Sequence, residues 1–457
     1  MGNDDRKGDD RRRDQRRTVM PSSAFGRTAR LAALPVGFAG RATLGVGKRM
    51  VGRPAQVVLT DVQRRTAEQI FSVLGQLKGG AMKFGQAMSV FEAALPDELA
   101  GPYREALTKL QDAAPAMPAA TVHGVLANEM GDFWREQFQE FDDTPVAAAS
   151  IGQVHRATWA DGREVAVKIQ YPGAARALRA DLRQIARLSR LFSVLAPGLD
   201  VKPLVAELQA RVEEELDYSL EAASQAVFAA AYADDPVYVV PGVVAHTERV
   251  LVTEWLESTG SLAAVIADGT QAERDERGEQ FARFLIGSPR RSGLLHADPH
   301  PGNFRTLADG RLGVVDFGAV AHLEGGFAPV IGELLRHAVQ GDAEAVTEGL
   351  RAEGFIRPGV TIDPETLAAY IGPFFEPATV DAFTFSREWL RDQLARVTAP
   401  GAEGMGTAMK VNLPPEYLLI HRVWTGAIGV LSQLEATAHF RQILLDELPG
   451  FADDGQD

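Results

Sequence analysis

Two carboxylates and a carboxamide are spaced along one stretch of this chain in a way that suggests chemistry. Asp298 and Asn303 fall within LLHADPHPGNF (294–304), separated by four residues, and Asp316-Phe317-Gly318 follows thirteen positions after the asparagine. Phosphoryl transfer asks little of a protein beyond such groups. It uses one carboxylate near the attacking hydroxyl, an asparagine and an aspartate on metal ions, and a lysine on the nucleotide phosphates. Asp298 is the candidate base or water-positioning group, and Asn303 and Asp316 are the candidate Mg²⁺ ligands. D-F-G alone is a common tripeptide, so the spaced pair carries the specificity. The competing reading is a histidine metal site at His296 and His300. Their four-residue spacing suits ligands only on a helix, and Pro299 and Pro301 oppose a continuous helix there. His296 is therefore read as bracing the loop, and His300 receives no role.

The lysine is expected upstream on a strand, and VAVK (165–168) supplies Lys168. With it, the order of groups is that of a kinase-type site. An acid should reach Lys168 from the next helix, expected over about 202–231, and EEELDYSLEA (213–222) offers several. Glu215 and Glu221 stand about 240° apart around a helix, so both cannot face one ammonium. Asp217 and Glu221 share a face at i, i+4. Glu221 is assigned to Lys168, leaving Glu215 and Asp217 for another cation. The glycine-rich turn that covers the phosphates in a kinase is replaced by AAASIGQVHRA (147–157). Ala147, Ala148 and Ala149 restrict φ where glycines would not, so Ser150 and backbone amides are the candidate phosphate contacts. Glu254 to Leu256, in TEWLE, form the candidate hinge for adenine.

The chain must also position these groups. At 457 residues it can bury a full core, and 46% apolar with 24% charged residues is ordinary for a globular protein. A net charge of −14 argues against general nucleic-acid binding. With no cysteine, disulfides, thiolate zinc sites and a cysteine nucleophile are excluded together. Residues 1–20 hold seven basic and five acidic side chains with almost no apolar ones, and read as a solvated tail. Residues 21–143 read as a helical extension without strand-like alternation. Residues 144–258 read as a small antiparallel sheet with one long helix, including a turn at Asp161-Gly162 and two strands across Val237–Ser258. Residues 259–457 read as a larger, mainly helical half, with Tyr417–Leu434 a buried helix. The expected class is α+β in two lobes. No signal peptide or membrane-length apolar run is visible, so the expected location is cytoplasmic, at most peripheral to a membrane. The apolar stretch 30–52 with spaced basic residues is the candidate membrane contact.

At this point the motifs resemble the UbiB/ADCK family of atypical protein-kinase-like proteins: KFGQ (83–86), the AAAS loop, VAVK, ELD within EEELDYSLEA, HADPHPGN and DFG. The similarity covers the chain from about residue 25. It implies a protein-kinase-like fold with the N-terminal helical extension lying across the active-site cleft. It implies that Lys83 and Gln86 meet Glu215 and Asp217, occupy the space of a protein substrate and act as a regulatory brake. It also implies an ATPase or a small-molecule or lipid kinase using ATP or ADP with Mg²⁺, with a lipid or isoprenoid-quinone precursor as partner. Two departures stand out. Serine occupies position 224 in EAAS where the family usually has asparagine, and the paired C-terminal membrane spans of UbiB proper are not seen. Two other readings remain open. One is a soluble phosphotransferase of the aminoglycoside or choline kinase type. The other is a nucleotide-binding lipid chaperone or scaffold without phosphoryl transfer.

Overall fold

The computed structural model describes residues 116–452, except 150, 177, 178, 180–212, 214, 215, 399–405, 408 and 409. Candidate residues Lys83, Gln86, Ser150 and Glu215, the extension's K-x-G-Q motif and the charged tail lie outside the described residues.

The first part is a six-stranded antiparallel sheet. Helix α1 (Ala119–Met130) precedes β1 (Phe138–Phe141), β2 (Ala147–Ala149), β3 (Gly152–Trp159) and β4 (Glu164–Gln170). Helix α2 (Tyr218–Ala231) leads to β5 (Tyr238–Val239), β6 (Val243–His246) and β7 (Val250–Glu254). The ladder runs β1-β3-β4-β7-β6, with β2 folded back on β3 and β5 placed elsewhere. Gly162, at φ +91°, makes the turn between β3 and β4. Period-two alternation sets the two faces of β4. Val165, Val167 and Ile169 are fully buried beneath α1 with Val122, Leu126, Trp134 and Phe138. Each such side chain contributes roughly 1.5–3 kcal/mol by burial. The other face of β4 presents Lys168, opposite Val154 on β3 and Leu251 on β7.

Three details differ from the sequence reading. FQEF is a strand within a stretch expected to be purely helical, so the sheet begins before residue 144. Its two phenylalanines are three apart and do not alternate, and a register shift between Phe138 and Glu140 accommodates them on β3. The segment 237–258 contributes three strands instead of two, and β5 joins a different sheet. The long helix is also interrupted. Asp217 is extended (φ −118°, ψ 99°), and its side chain accepts from the Ser219 amide as the N-cap of α2.

The second part is built on helices. After β8 (Gly260–Ser261) come α3 (Leu262–Asp268) and α4 (Gln271–Ser292). Helix α4 opens on a Thr270/Glu273 capping box and ends at Gly293 in the left-handed region. Strands β9 (Leu294–His296), β10 (Phe304–Thr306), β11 (Leu312–Val314) and β12 (Val320–His322) follow. β9 pairs with β12, and β10 lies between β8 and β11, which in turn pairs with β5. Helices α5 (Pro329–Gln340), α6 (Ala343–Ala352), α7 (Pro364–Thr379), α8 (Arg387–Thr398), α9 (Leu418–Leu434) and α10 (Phe440–Glu447) complete it. Phe228 of α2, Phe281 and Phe284 of α4, Phe304 and Phe317 share its core. The architecture is α+β and protein-kinase-like. Among the described residues no helix is long and apolar enough to cross a membrane.

Candidate active site

Helix α2 buries Tyr218, Glu221, Ala222, Gln225 and Phe228, a three-to-four-residue recurrence that makes one inward face. Glu221, 5% exposed, is thereby carried to β4. Lys168 Nζ donates to its two carboxylate oxygens at 2.7 and 2.9 Å, and to Asp316 Oδ1 at 3.4 Å. The ammonium also lies 5.0 Å from the centre of the Tyr218 ring. Burial works against the charge on Lys168, but Asp316 and Glu221 outweigh it and hold its pKa above the ordinary lysine value. Such a pair is poor evidence of stability, because desolvation offsets much of its attraction. What it provides is a positioned ammonium.

Asp316 takes positive φ (64°), rare for a residue with a side chain. Gly318 makes room for the carboxylates. A Cβ there would lie 3.3 Å from Glu221 Oε2 and 3.4 Å from Asp316 Oδ1. Phe317, between them, is buried against Phe228 and His296 at centroid distances of 4.8 and 5.2 Å. His296 is fully buried within a cage that also includes Phe284 and Phe304. That burial lowers its pKa, with Asp298 and Asp316 pulling the other way. It is a neutral brace beneath the turn.

The loop carrying Asp298 and Asn303 is held by its own backbone. Asn303 Nδ2 donates to the Asp298 carbonyl at 3.2 Å, which leaves the amide oxygen as its remaining acceptor. The Asn303 carbonyl accepts the Val315 amide at 2.9 Å, setting Asn303 beside the segment that leaves β11 and carries Asp316. His300 Nδ1 accepts from the Gly302 amide and caps the short turn Pro301–Asn303. Helix α9 supports the loop through Gly426, where a Cβ would come 2.6 Å from Pro299 Cγ. Among the described residues nothing hydrogen-bonds the Asp298 carboxylate.

The other candidates are placed as follows. Ala147, Ala148 and Ala149 are a strand paired with Val154, Gln153 and Gly152, in place of an open loop. Asp217 lies outside the helix, so the i, i+4 argument that placed it on one face with Glu221 does not hold. At the hinge, the Glu254 and Trp255 amides already donate to the carbonyls of Gly242 and Glu164. The Glu254 side chain accepts from Gly242 N at 3.0 Å. The two backbone donors, of Glu254 and Trp255, are thus already engaged. Tyr218 went unassigned in the sequence reading, although it stands one helical turn before Glu221 on the same face. Its hydroxyl is buried without a hydrogen-bond partner among the described residues.

Among the described residues no set of three or more His, Asp or Glu side chains forms a ready-made metal site. The donors present, Asn303 and Asp316, suit magnesium, which takes few protein oxygens and completes its shell with phosphate oxygens and water.

The chain is similar to several known proteins. Residues 109–350 match the ABC1 atypical kinase-like domain. The Caenorhabditis elegans protein named atypical kinase coq-8, mitochondrial, is 30% identical over 354 residues, 74% of this chain and 46% of the relative. The chain thus spans about half the length of that relative. The Saccharomyces cerevisiae atypical kinase COQ8, mitochondrial, is 26% identical over 456 residues, 96% of this chain and 87% of its own length. A solved structure, titled as the complex of Rv3197 with erythromycin from Mycobacterium tuberculosis, is 44% identical with a TM-score of 0.67. The match covers 88% of this chain and all of that one.

Proposed function

This chain belongs to the ABC1 atypical kinase-like family, and from that premise we propose that it is a magnesium-dependent, ATP-binding phosphotransferase or ATPase. The observation that carries the reading is the convergence of Glu221 and Asp316 on Lys168 Nζ. Lys168 would hold the α- and β-phosphates, and Glu221 keeps the ammonium aimed. Asp298, with no competing hydrogen bond among the described residues, would take the proton of an attacking hydroxyl or orient a water. Asn303 and Asp316 would hold magnesium, which when bound neutralises charge on the phosphate oxygens. Glu254 and Leu256 would border the adenine. The acceptor in this reading is a small molecule or lipid instead of a protein side chain. The test is Asp316→Asn, expected to abolish the thermal shift given by Mg·ATP. Retention of the wild-type shift sinks the metal assignment.

A second reading concerns the acceptor or ligand. A cavity of about 720 Å³ lies between α2, β12 and α9, lined in part by Leu220, Val227, Leu294, Leu419 and Ile420, and reaches Glu221 and Phe317. Its size and apolar lining, with the erythromycin complex of the solved relative, support a bulky amphiphile such as a macrolide bound beside the catalytic pair. Val227→Glu should then abolish erythromycin binding measured by calorimetry while Mg·ATP binding persists. Undiminished erythromycin binding in that variant, or none in the wild type, sinks this reading.

A further inference from the structure

Beside Leu256 and Ser258, in the segment proposed as the hinge, Arg305 carries a charge that no described residue neutralises. Alternation along β10 sends Phe304 and Thr306 into the core and turns Arg305 to the opposite face. Arg305 pairs across the ladder with Gly313. A Cβ placed on Gly313 would lie 3.4 Å from Arg305 Cβ and 2.3 Å from Cδ2 of Leu256. The missing side chain at 313 therefore lets Leu256 settle beside the stem of Arg305. Arg305 thus stands beside Leu256 and Ser258, two residues after Asn303, which closes the short turn before β10.

Its guanidinium is oriented. Nε and Nη2 both donate to Ser258 Oγ, at 3.1 and 2.8 Å, two residues past Leu256. No carboxylate of a described residue reaches it, and its hydrogen bonds go to the Ser258 hydroxyl. A half-buried guanidinium facing only a neutral hydroxyl is costly to desolvate. Floors of ligand pockets are mostly apolar, and an aliphatic side chain would serve the packing better. The cation recovers its desolvation if a ligand brings an aromatic face or ring hydroxyls to it. A phosphate is the less suitable partner, because Lys168 pairs opposite Leu251, seven residues before the Ser258 that anchors Arg305.

We infer that Arg305, oriented by Ser258, is a specificity-determining residue of the nucleotide site and reads the nucleoside half of the ligand from beneath. This rests on the proposed binding of nucleotide in the cleft. Affinities for adenosine and for Mg·ATP are measured by competition against a fluorescent nucleotide, in wild type, Arg305→Leu, Arg305→Lys and Ser258→Ala. Arg305→Leu should weaken both ligands by a similar factor, roughly 5- to 30-fold. Arg305→Lys keeps the charge without the planar fork, and Ser258→Ala keeps the fork without its anchor, so each should lose a smaller factor for both ligands. Wild-type adenosine affinity in Arg305→Leu overturns the inference, including the case in which only Mg·ATP is weakened, since that is long-range attraction for phosphate. If the leucine variant does not fold, unchanged adenosine affinity in both Arg305→Lys and Ser258→Ala overturns it instead. Failure of the wild type to bind either ligand would refute the nucleotide reading itself.

Discussion

Removing Glu221 tests the centre of the site, because its cost depends on how far the Lys168 ammonium relies on it. The lysine side chain is 17% exposed and the glutamate 5%. Deleting one member of a buried pair costs about 3–5 kcal/mol, mostly through the charge left behind. Here Asp316 Oδ1 remains 3.4 Å from the ammonium, and some solvent reaches it. Glu221→Met is therefore expected to cost about 2–3 kcal/mol, below the full penalty. Lys168→Met leaves Glu221 buried without its cation and should cost a similar amount. The double variant replaces both charges with apolar volume, and such replacements are often close to neutral. The expected coupling is about 2 kcal/mol or more, within the range for residues in direct contact. Urea unfolding of the four proteins measures it, with Mg·ATP binding as a parallel readout expected to be lost in all three variants. Additivity of the single changes within about 0.5 kcal/mol would show that the pair is not coupled, and the reasoning would be refuted.

Three further outcomes are expected. Tyr218→Phe should leave stability unchanged or slightly higher, because the hydroxyl it removes is buried without a partner among the described residues. Tyr218→Ala should cost about 3–5 kcal/mol, and a large loss in the phenylalanine variant would reveal a bond to the hydroxyl. Gly152→Ala should destabilise by roughly 1–3 kcal/mol, since its Cβ would fall 2.3 Å from the Ile169 carbonyl oxygen; a variant melting with the wild type contradicts this. His155 is buried and its pKa lies below the usual value, mainly through desolvation, despite the Asp142 carbonyl on its Nδ1. The unfolded chain then takes up the proton first, so stability should fall as pH drops below about 6.5. His155→Gln should reduce that slope without removing it, because His296 and His421 are lowered in the same way. An unchanged slope between pH 7 and 5 argues against the assignment.

The parts of the site legible in the sequence are those whose geometry is local. Asp298, Asn303 and Asp316 lie on one loop and the strand beside it, so their spacing already constrains their separation. Lys168 was legible because a strand of alternating valines and isoleucine has only two faces. Glu221 was assigned through a helix imagined as continuous from 202, and the structure breaks that helix at Asp217. The assignment survives on a different ground, the inward face that Glu221 shares with Tyr218, Ala222 and Gln225. β1 escaped notice because four residues with unalternated phenylalanines carry no strand signal until β3 is there to pair with them. Arg305 reads along the chain as an ordinary surface cation, and only the ladder to Gly313 and the bonds to Ser258 bring it beside Leu256.

The sequence by itself determined which chemical groups this protein owns and the order in which they occur, because residue type and short spacing survive without a fold. Only the tertiary structure decided that they meet. Lys168 is 53 residues from Glu221 and 148 from Asp316. No local rule carries one side chain to another over such separations. The burial of α2 against the sheet and the positive φ of Asp316 bring them within hydrogen-bonding distance. The same packing, through Gly318 and Gly313, decides where carboxylates and guanidinium have room to stand.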